Sequence, residues 1–199
     1  MARCDRLWVL SLLSALCVVS SFAQTMQPSA PYDDPEAYKV YAAILPQEWT
    51  WKVAHAKTLI IRIETESFPN CVQLDNEAQP SVREALAAYV RQNKEKWLLQ
   101  RSFDIEKPYE LVYSDQIKAI FENGGDGWQN FNERFPDSGG LIEFSAVGFN
   151  AGKTVAVVYM GHQCGSLCGG GTQHILQKKD GQWQHMTVAG HGSSCTWVS

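Results

Sequence analysis

The sequence predicts a single α+β domain, a mainly antiparallel β-meander sheet with N-terminal helices packed on one face. Three observations lead there. Apolar residues recur at helical spacing in two stretches of the first half, Ala37 to Leu45 and Leu86 to Trp97. From Leu141 onward the pattern changes to short β-branched and aromatic runs divided by turn residues. Helices first and strands after is the order that places helices on one side of an antiparallel sheet.

Residues 1–23 read as a signal peptide. Arg3 and Arg6 supply the basic start, Leu7 to Val19 the apolar run, and Ser21-Phe22-Ala23 a small-x-small cleavage pattern. The run is shorter than the roughly 20 residues a membrane helix needs. Leu16 before Cys17 is larger than a lipoprotein site accepts. Cleavage after Ala23 is expected, and no later stretch is apolar enough to span a bilayer. Of 17 Lys and Arg and 21 Asp and Glu, removing Arg3, Arg6 and Asp5 leaves 15 against 20, a formal charge of −5. That acidic balance, without a basic cluster, argues against nucleic acid and anionic membrane surfaces as partners.

A polar lead-in over 24–33, expected to be flexible, precedes the domain at 34–199. Asp34-Pro35-Glu36 opens a helix: Asp34 caps free amides, Pro35 has a suitable φ, and Glu36 meets the positive end of the dipole. Ala37, Val40, Tyr41, Ile44 and Leu45 form its buried stripe, and Pro46 stops it. Lys57 to Glu64 alternates as a strand, after which Glu64 and Glu66 read as an ordinary polar strand end before they read as a carboxylate pair for acid–base work, since no second chemical partner is in view. A helix from Pro80 or Ser81 is expected to run to Trp97 or Leu98. Tyr109 to Tyr113 is a short strand, Ser114 is placed as the cap of the next helix, and Asn123-Gly124-Gly125 ends it. Trp128, Phe131 and Phe135 share one helical face, which reads as core before it reads as a sugar or peptide platform.

In the last third, strands 141–149 and 154–160 are joined by Asn150-Ala151-Gly152-Lys153, with Gly152 where positive φ is wanted. Strands 172–178 and 182–188 are joined by Lys179-Asp180-Gly181, the strongest hairpin signal. Trp197-Val198 adds an edge strand. An NTF2-like or cystatin-like arrangement suits this order as a fold analogy.

Several segments here carry a resemblance. Ser145-x-Val147-Gly148-Phe149-Asn150, Cys164-Gly165-x-Leu167-Cys168-Gly169, Lys178-x-x-Gly181-x-Trp183 and Trp197-Val198-Ser199 resemble an uncharacterised family of exported bacterial proteins, with Phe135-Pro136-x-x-Gly139-Gly140 leading in. The resemblance implies export and carries over no catalytic residue.

The chemistry-bearing stretch is Gly161 to Gly171, read as a loop with five glycines, two cysteines and one histidine. Its candidate functional residues are His162, Gly165, Gly169 and Gly170, the last three through backbone amides that could form an anion nest. A metal site would draw on His162, Cys164, Cys168, His174, His185, His191 and Cys195, but their spacing matches no familiar module and no metal or cofactor is assigned. A thiol nucleophile needs a helix N-terminus or a neighbouring cation; no helix start follows here, although His162 could act as base and the glycine amides as an oxyanion nest. The favoured reading is a Cys164–Cys168 disulfide, whose five-residue ring stabilises by about 2 kcal/mol in the chain-entropy model. Cys71–Cys195 would then close a loop of about 125 residues, for about 5 kcal/mol. Four cysteines allow three pairings, and sequence alone does not choose among them.

Two functional classes stay open. The leading one is a non-catalytic exported domain binding a small ligand or an envelope partner. The other is an exported hydrolase or thiol-dependent enzyme centred on His162, Cys164 and Cys168.

Overall fold

The computed structural model describes residues 29–46, 51–68, 72, 74, 78–186 and 196–198. The expected signal peptide, Cys71, Cys195 and His191 lie outside these residues. Before the first helix, β1 (Ala30–Pro31) pairs in parallel with β3 (Trp97–Leu98), and Tyr32 is buried. This described end of the lead-in is therefore built into the domain.

α1 (Pro35–Ile44) begins as its sequence requires, with the Asp34 carboxylate accepting from the Glu36 amide. Such a cap is worth about 1 kcal/mol. Ala37, Tyr38, Val40, Tyr41 and Ile44 are its buried side. α2 (Trp51–His55) leads into β2 (Leu59–Arg62). α3 (Pro80–Gln92) stops short of the expected end. The Asn93 side-chain amide donates to the carbonyls of Tyr89 and Ala146, so the chain leaves the helix there and reaches Trp97 as strand β3.

β4 (Tyr109–Val112) precedes α4 (Ser114–Phe121) and α5 (Gly127–Arg134). The N-cap of α4 is Tyr113, whose amide donates to Gln116 Oε1; the Ser114 hydroxyl is engaged elsewhere. β5 (Leu141–Phe144), β6 (Gly148–Phe149), β7 (Val155–Gly165), β8 (Cys168–Lys179), β9 (Gln182–His185) and β10 (Thr196–Val198) complete the chain.

The fold is α+β with a mostly antiparallel sheet, ordered β10-β8-β7-β5-β2-β4, with β6 against β7 and β9 against β8. It is not a pure meander, because β2 lies parallel to both β4 and β5. The helices also divide between two faces instead of covering one. Ala156, Val158 and Met160 of β7 join Leu59, Ile61 and Phe144 beneath α1. Val155, Val157 and Tyr159 point the other way, against Val82, Ala85 and Tyr89 of α3. Ile60, Val112 and Leu141 meet Ile117 of α4, Phe131 of α5 and Phe135 just after it on that second face. Strands buried on both sides lose the polar-apolar alternation that marks a one-sided sheet, and β5 is buried at all four positions.

Two turns follow local chemistry. Asp180 and Gly181 both take positive φ between β8 and β9, as a two-residue hairpin turn demands. Between β6 and β7 the positive φ falls on Lys153, at 47°, and not on Gly152. Asn150 holds that turn by accepting from the Thr154 and Val155 amides.

Candidate functional site

The stretch 161–171 is not a loop. β7 and β8 remain paired through His162↔Gly170 and Gln163↔Gly169 to Gly165↔Cys168, leaving only Ser166-Leu167 as the turn. The Cys164–Cys168 disulfide closes this tip across a Cα–Cα distance of 5.0 Å. None of the glycines from 161 to 171 has positive φ. Gly165, Gly169 and Gly170 are ladder residues, and β10 pairs with Gly170, Gly171 and Thr172 from the outer side. They lie in the paired sheet without positive φ, so they do not form the anion nest that their backbone amides could have offered.

The glycines serve close approach instead. A Cβ on Gly171 would collide with the Tyr159 hydroxyl and approach the Trp197 indole nitrogen to 2.7 Å. One on Gly170 would lie 3.1 Å from the Trp197 carbonyl oxygen. The run lets β10 lie flat and lets Tyr159 and Trp197 meet across it.

His162 is buried, on the face shared with Met160. Its Nε2 lies 2.9 Å from the Gly139 carbonyl oxygen. A carbonyl only accepts, so Nε2 carries the proton. Gly140, at φ +123°, makes this possible: a Cβ there would come within 2.9 Å of both His162 Nε2 and Cys164 Cβ. Around these groups lies a hollow of about 320 Å³, walled by Met160, His162, the disulfide, the glycine run, Thr172 and Trp197. Leu167 at the turn is 88 % exposed and Val198 is 82 % exposed. Such a site offers apolar walls and few polar handles, and both sulfurs are in the bond, so neither is a thiolate.

The opposite face of the same hairpin carries a polar seam that sequence reasoning caught only in part. Arg62 Nη2 lies 2.7 Å from Glu143 Oε1, and Gln163 Nε2 donates to Glu143 Oε2 at 3.0 Å. Glu143 is only 4 % exposed. Arg62 Nη1 donates to Ser114 Oγ, whose own hydroxyl donates to Glu64 Oε2 at 2.8 Å. Glu66 lies 3.4 Å from Arg62 Nε and pairs with Lys96 at 2.9 Å. Glu64 and Glu66 therefore serve different partners and do not act as one carboxylate pair. A charge at 143 between two apolar residues of a run buried throughout was the available signal for this network.

His174 and His185 form an edge-to-face pair, ring centroids 5.0 Å apart. Burial, with a smaller contribution from His185, lowers the His174 pKa from the usual 6.5 to about 3. Among the described residues no three His, Cys, Asp or Glu side chains gather as a metal site. The Trp128, Phe131 and Phe135 face is core, with Phe131 and Phe135 buried. No described helix is long and apolar enough to cross a membrane. Comparison of the chain with protein-family models, curated proteins and solved structures gives no match.

Proposed function

We propose that this is an exported, non-catalytic binding domain whose disulfide-closed hairpin receives a small, largely apolar ligand. The observation that carries the reading is the hollow of about 320 Å³ between His162, Met160, the disulfide and Trp197, a volume at the lower end of small-molecule sites. Rigidity supports it. The disulfide, the continuous ladder and the His162 contact to Gly139 hold the walls before any ligand arrives, which reduces the ordering cost of binding. Export follows from residues 1–23 and agrees with the closed disulfide, since oxidising compartments preserve such bonds.

The test is amide chemical-shift mapping of the uniformly labelled protein with indole and with 1-naphthol as probes. Saturable shifts confined to Met160, His162, Gly169 to Thr172 and Thr196 to Val198 are expected. Shifts scattered over the surface, or none at saturating probe, overturn the reading.

A further inference from the structure

The end of β7 away from the hairpin tip holds a second hollow, of about 640 Å³, built from three separate parts of the chain. The two hollows share no wall residue. Tyr32 and Val147 form the floor, and both are buried. They are locked together: the Val147 amide donates to the Tyr32 hydroxyl at 2.8 Å, and that hydroxyl reaches back to the Val147 carbonyl. Trp97 and Phe149 rise from the floor, each half-buried, so each ring keeps some accessible surface. Trp97 is fixed by its indole N–H donating to the Gln92 carbonyl at 3.0 Å and by the Tyr32 ring at 6.0 Å.

The rim is charged, and its charges are unequal in their attachments. Lys153 binds the Asp34 carboxylate at 2.9 Å and stands 5.3 Å from the centre of the Phe149 ring. Its charge is met within the protein. Arg91, in the last turn of α3, and Asp33, before α1, form no ion pair among the described residues. Among the described residues, the hollow therefore presents a cation with unused donors, a carboxylate with unused acceptor capacity, and aromatic surface beside them.

We infer that the hollow bounded by Tyr32, Trp97, Phe149 and Arg91 binds a small polyhydroxylated acid of the hexuronate type. A sugar ring has an apolar C–H face to lay on Trp97 or Phe149 and hydroxyls that donate to Asp33. Its carboxylate matches the planar fork of Arg91, which a neutral sugar leaves unused. A purely apolar ligand would leave both Arg91 and Asp33 unanswered. This inference stands apart from the hairpin hollow and survives if that site binds nothing.

The experiment is titration of the mature protein with sodium glucuronate, and in parallel with glucose and sodium acetate, followed by the Trp97 indole N–H and the backbone amides of Val147 to Ala151. Saturable shifts with glucuronate are expected, with glucose and acetate each weaker by roughly ten-fold or more. Arg91→Ala should weaken glucuronate binding to the level of glucose while leaving glucose unchanged. Arg91 is exposed, so the variant should fold, and an unchanged unfolding midpoint checks this. Absence of saturation below about 50 mM, a range that still detects very weak sites, overturns the inference. So does glucuronate binding that is indifferent to Arg91→Ala or equalled by glucose. Arg91→Lys, which keeps the charge and loses the fork, is the second variant: partial retention is expected, and full retention would refute the role given to the planar fork.

Discussion

The Trp197 indole N–H donates to the Tyr159 hydroxyl directly over Gly171, at the place where a Cβ would sit. Tyr159 comes from the middle of β7 and Trp197 from the last strand, 38 residues later. The bond exists because the strand between them has no side chain at that position. Phe68 stacks on the Tyr159 ring, with ring centroids 3.5 Å apart.

Gly171→Ala should accordingly lift Trp197 off the hairpin. Overpacking of this kind costs about 1–3 kcal/mol, and the loss should appear in urea unfolding together with a change in Trp197 indole N–H shift. An unchanged midpoint and an unchanged shift would show that β10 is not seated as described. Gly165→Ala, where a Cβ would meet only Cys168 Cβ at 3.4 Å, is the matched control and should be nearly neutral.

Glu36 links α1 to the β8–β9 hairpin. Burial works against its charge, but hydrogen bonds from Lys178 and Trp183, both 2.7 Å long, outweigh it and lower the carboxyl pKa from 4.5 to about 2. A depressed acid stabilises the folded state above its unfolded pKa, and the contribution disappears as pH falls through the folded value. The stability difference between wild type and Glu36→Gln should be constant above about pH 5.5 and shrink from about pH 4.5 towards pH 2. A difference that does not depend on pH would contradict the assignment.

His174 behaves in the opposite chemical sense but the same direction in pH. Its folded pKa of about 3 lies below the usual 6.5, so the unfolded chain takes up a proton first as pH drops. Stability should be full above about pH 6.5 and fall, by up to about 1.4 kcal/mol per pH unit, between there and pH 3. The interval from about pH 6.5 to 5 separates this from Glu36, which still holds its charge there. His174→Gln should flatten that slope. Imidazole NMR offers the direct check: His174 should not titrate between about pH 7 and 4.5.

Arg62 and Glu143 are a nearly buried pair. Arg62→Met alone leaves the Glu143 carboxylate in the sheet with Gln163 as its remaining donor among the described residues, and should destabilise by about 3–5 kcal/mol. Arg62→Met combined with Glu143→Met should cost much less than the sum, because no charge is then stranded. Strict additivity in the double-mutant cycle would mean the pair is not coupled.

Thiol counting on the mature, unreduced protein tests the cysteine assignments. Zero free thiols are expected. Two or more would overturn the double-disulfide assignment, and four would remove the Cys164–Cys168 bond with it. Cys164→Ala with Cys168→Ala should lower stability by about 2 kcal/mol.

Much of the fold was legible locally. Asp34 caps α1, Asp180-Gly181 turns β8 into β9, and Cys164 with Cys168 closes the tip, because each depends on residues within a few positions of one another. Placement across long separations was not legible. That β2 runs parallel to β4 and β5, and that α3 covers the face opposite α1, depends on which apolar surfaces meet after collapse. Residues buried on both sides of a strand carry no alternation to say which helix covers which side.

The candidate sites divide in the same way. His162 and the two cysteines drew notice by residue type, and the structure keeps them together around one hollow. The glycines of this stretch were legible as freedom of φ, yet none takes positive φ, and it is Gly171 that admits Tyr159 and Trp197. The Arg62–Glu143–Gln163 seam and the Tyr32–Lys153 hollow join residues separated by 81, 20 and more than 100 positions. Sequence by itself determined the chemical inventory and the local turns and caps, since these follow from backbone sterics and short-range hydrogen bonds. Only the tertiary structure decided which groups share a surface, because that depends on the register of strands and on the packing of helices brought together from far along the chain.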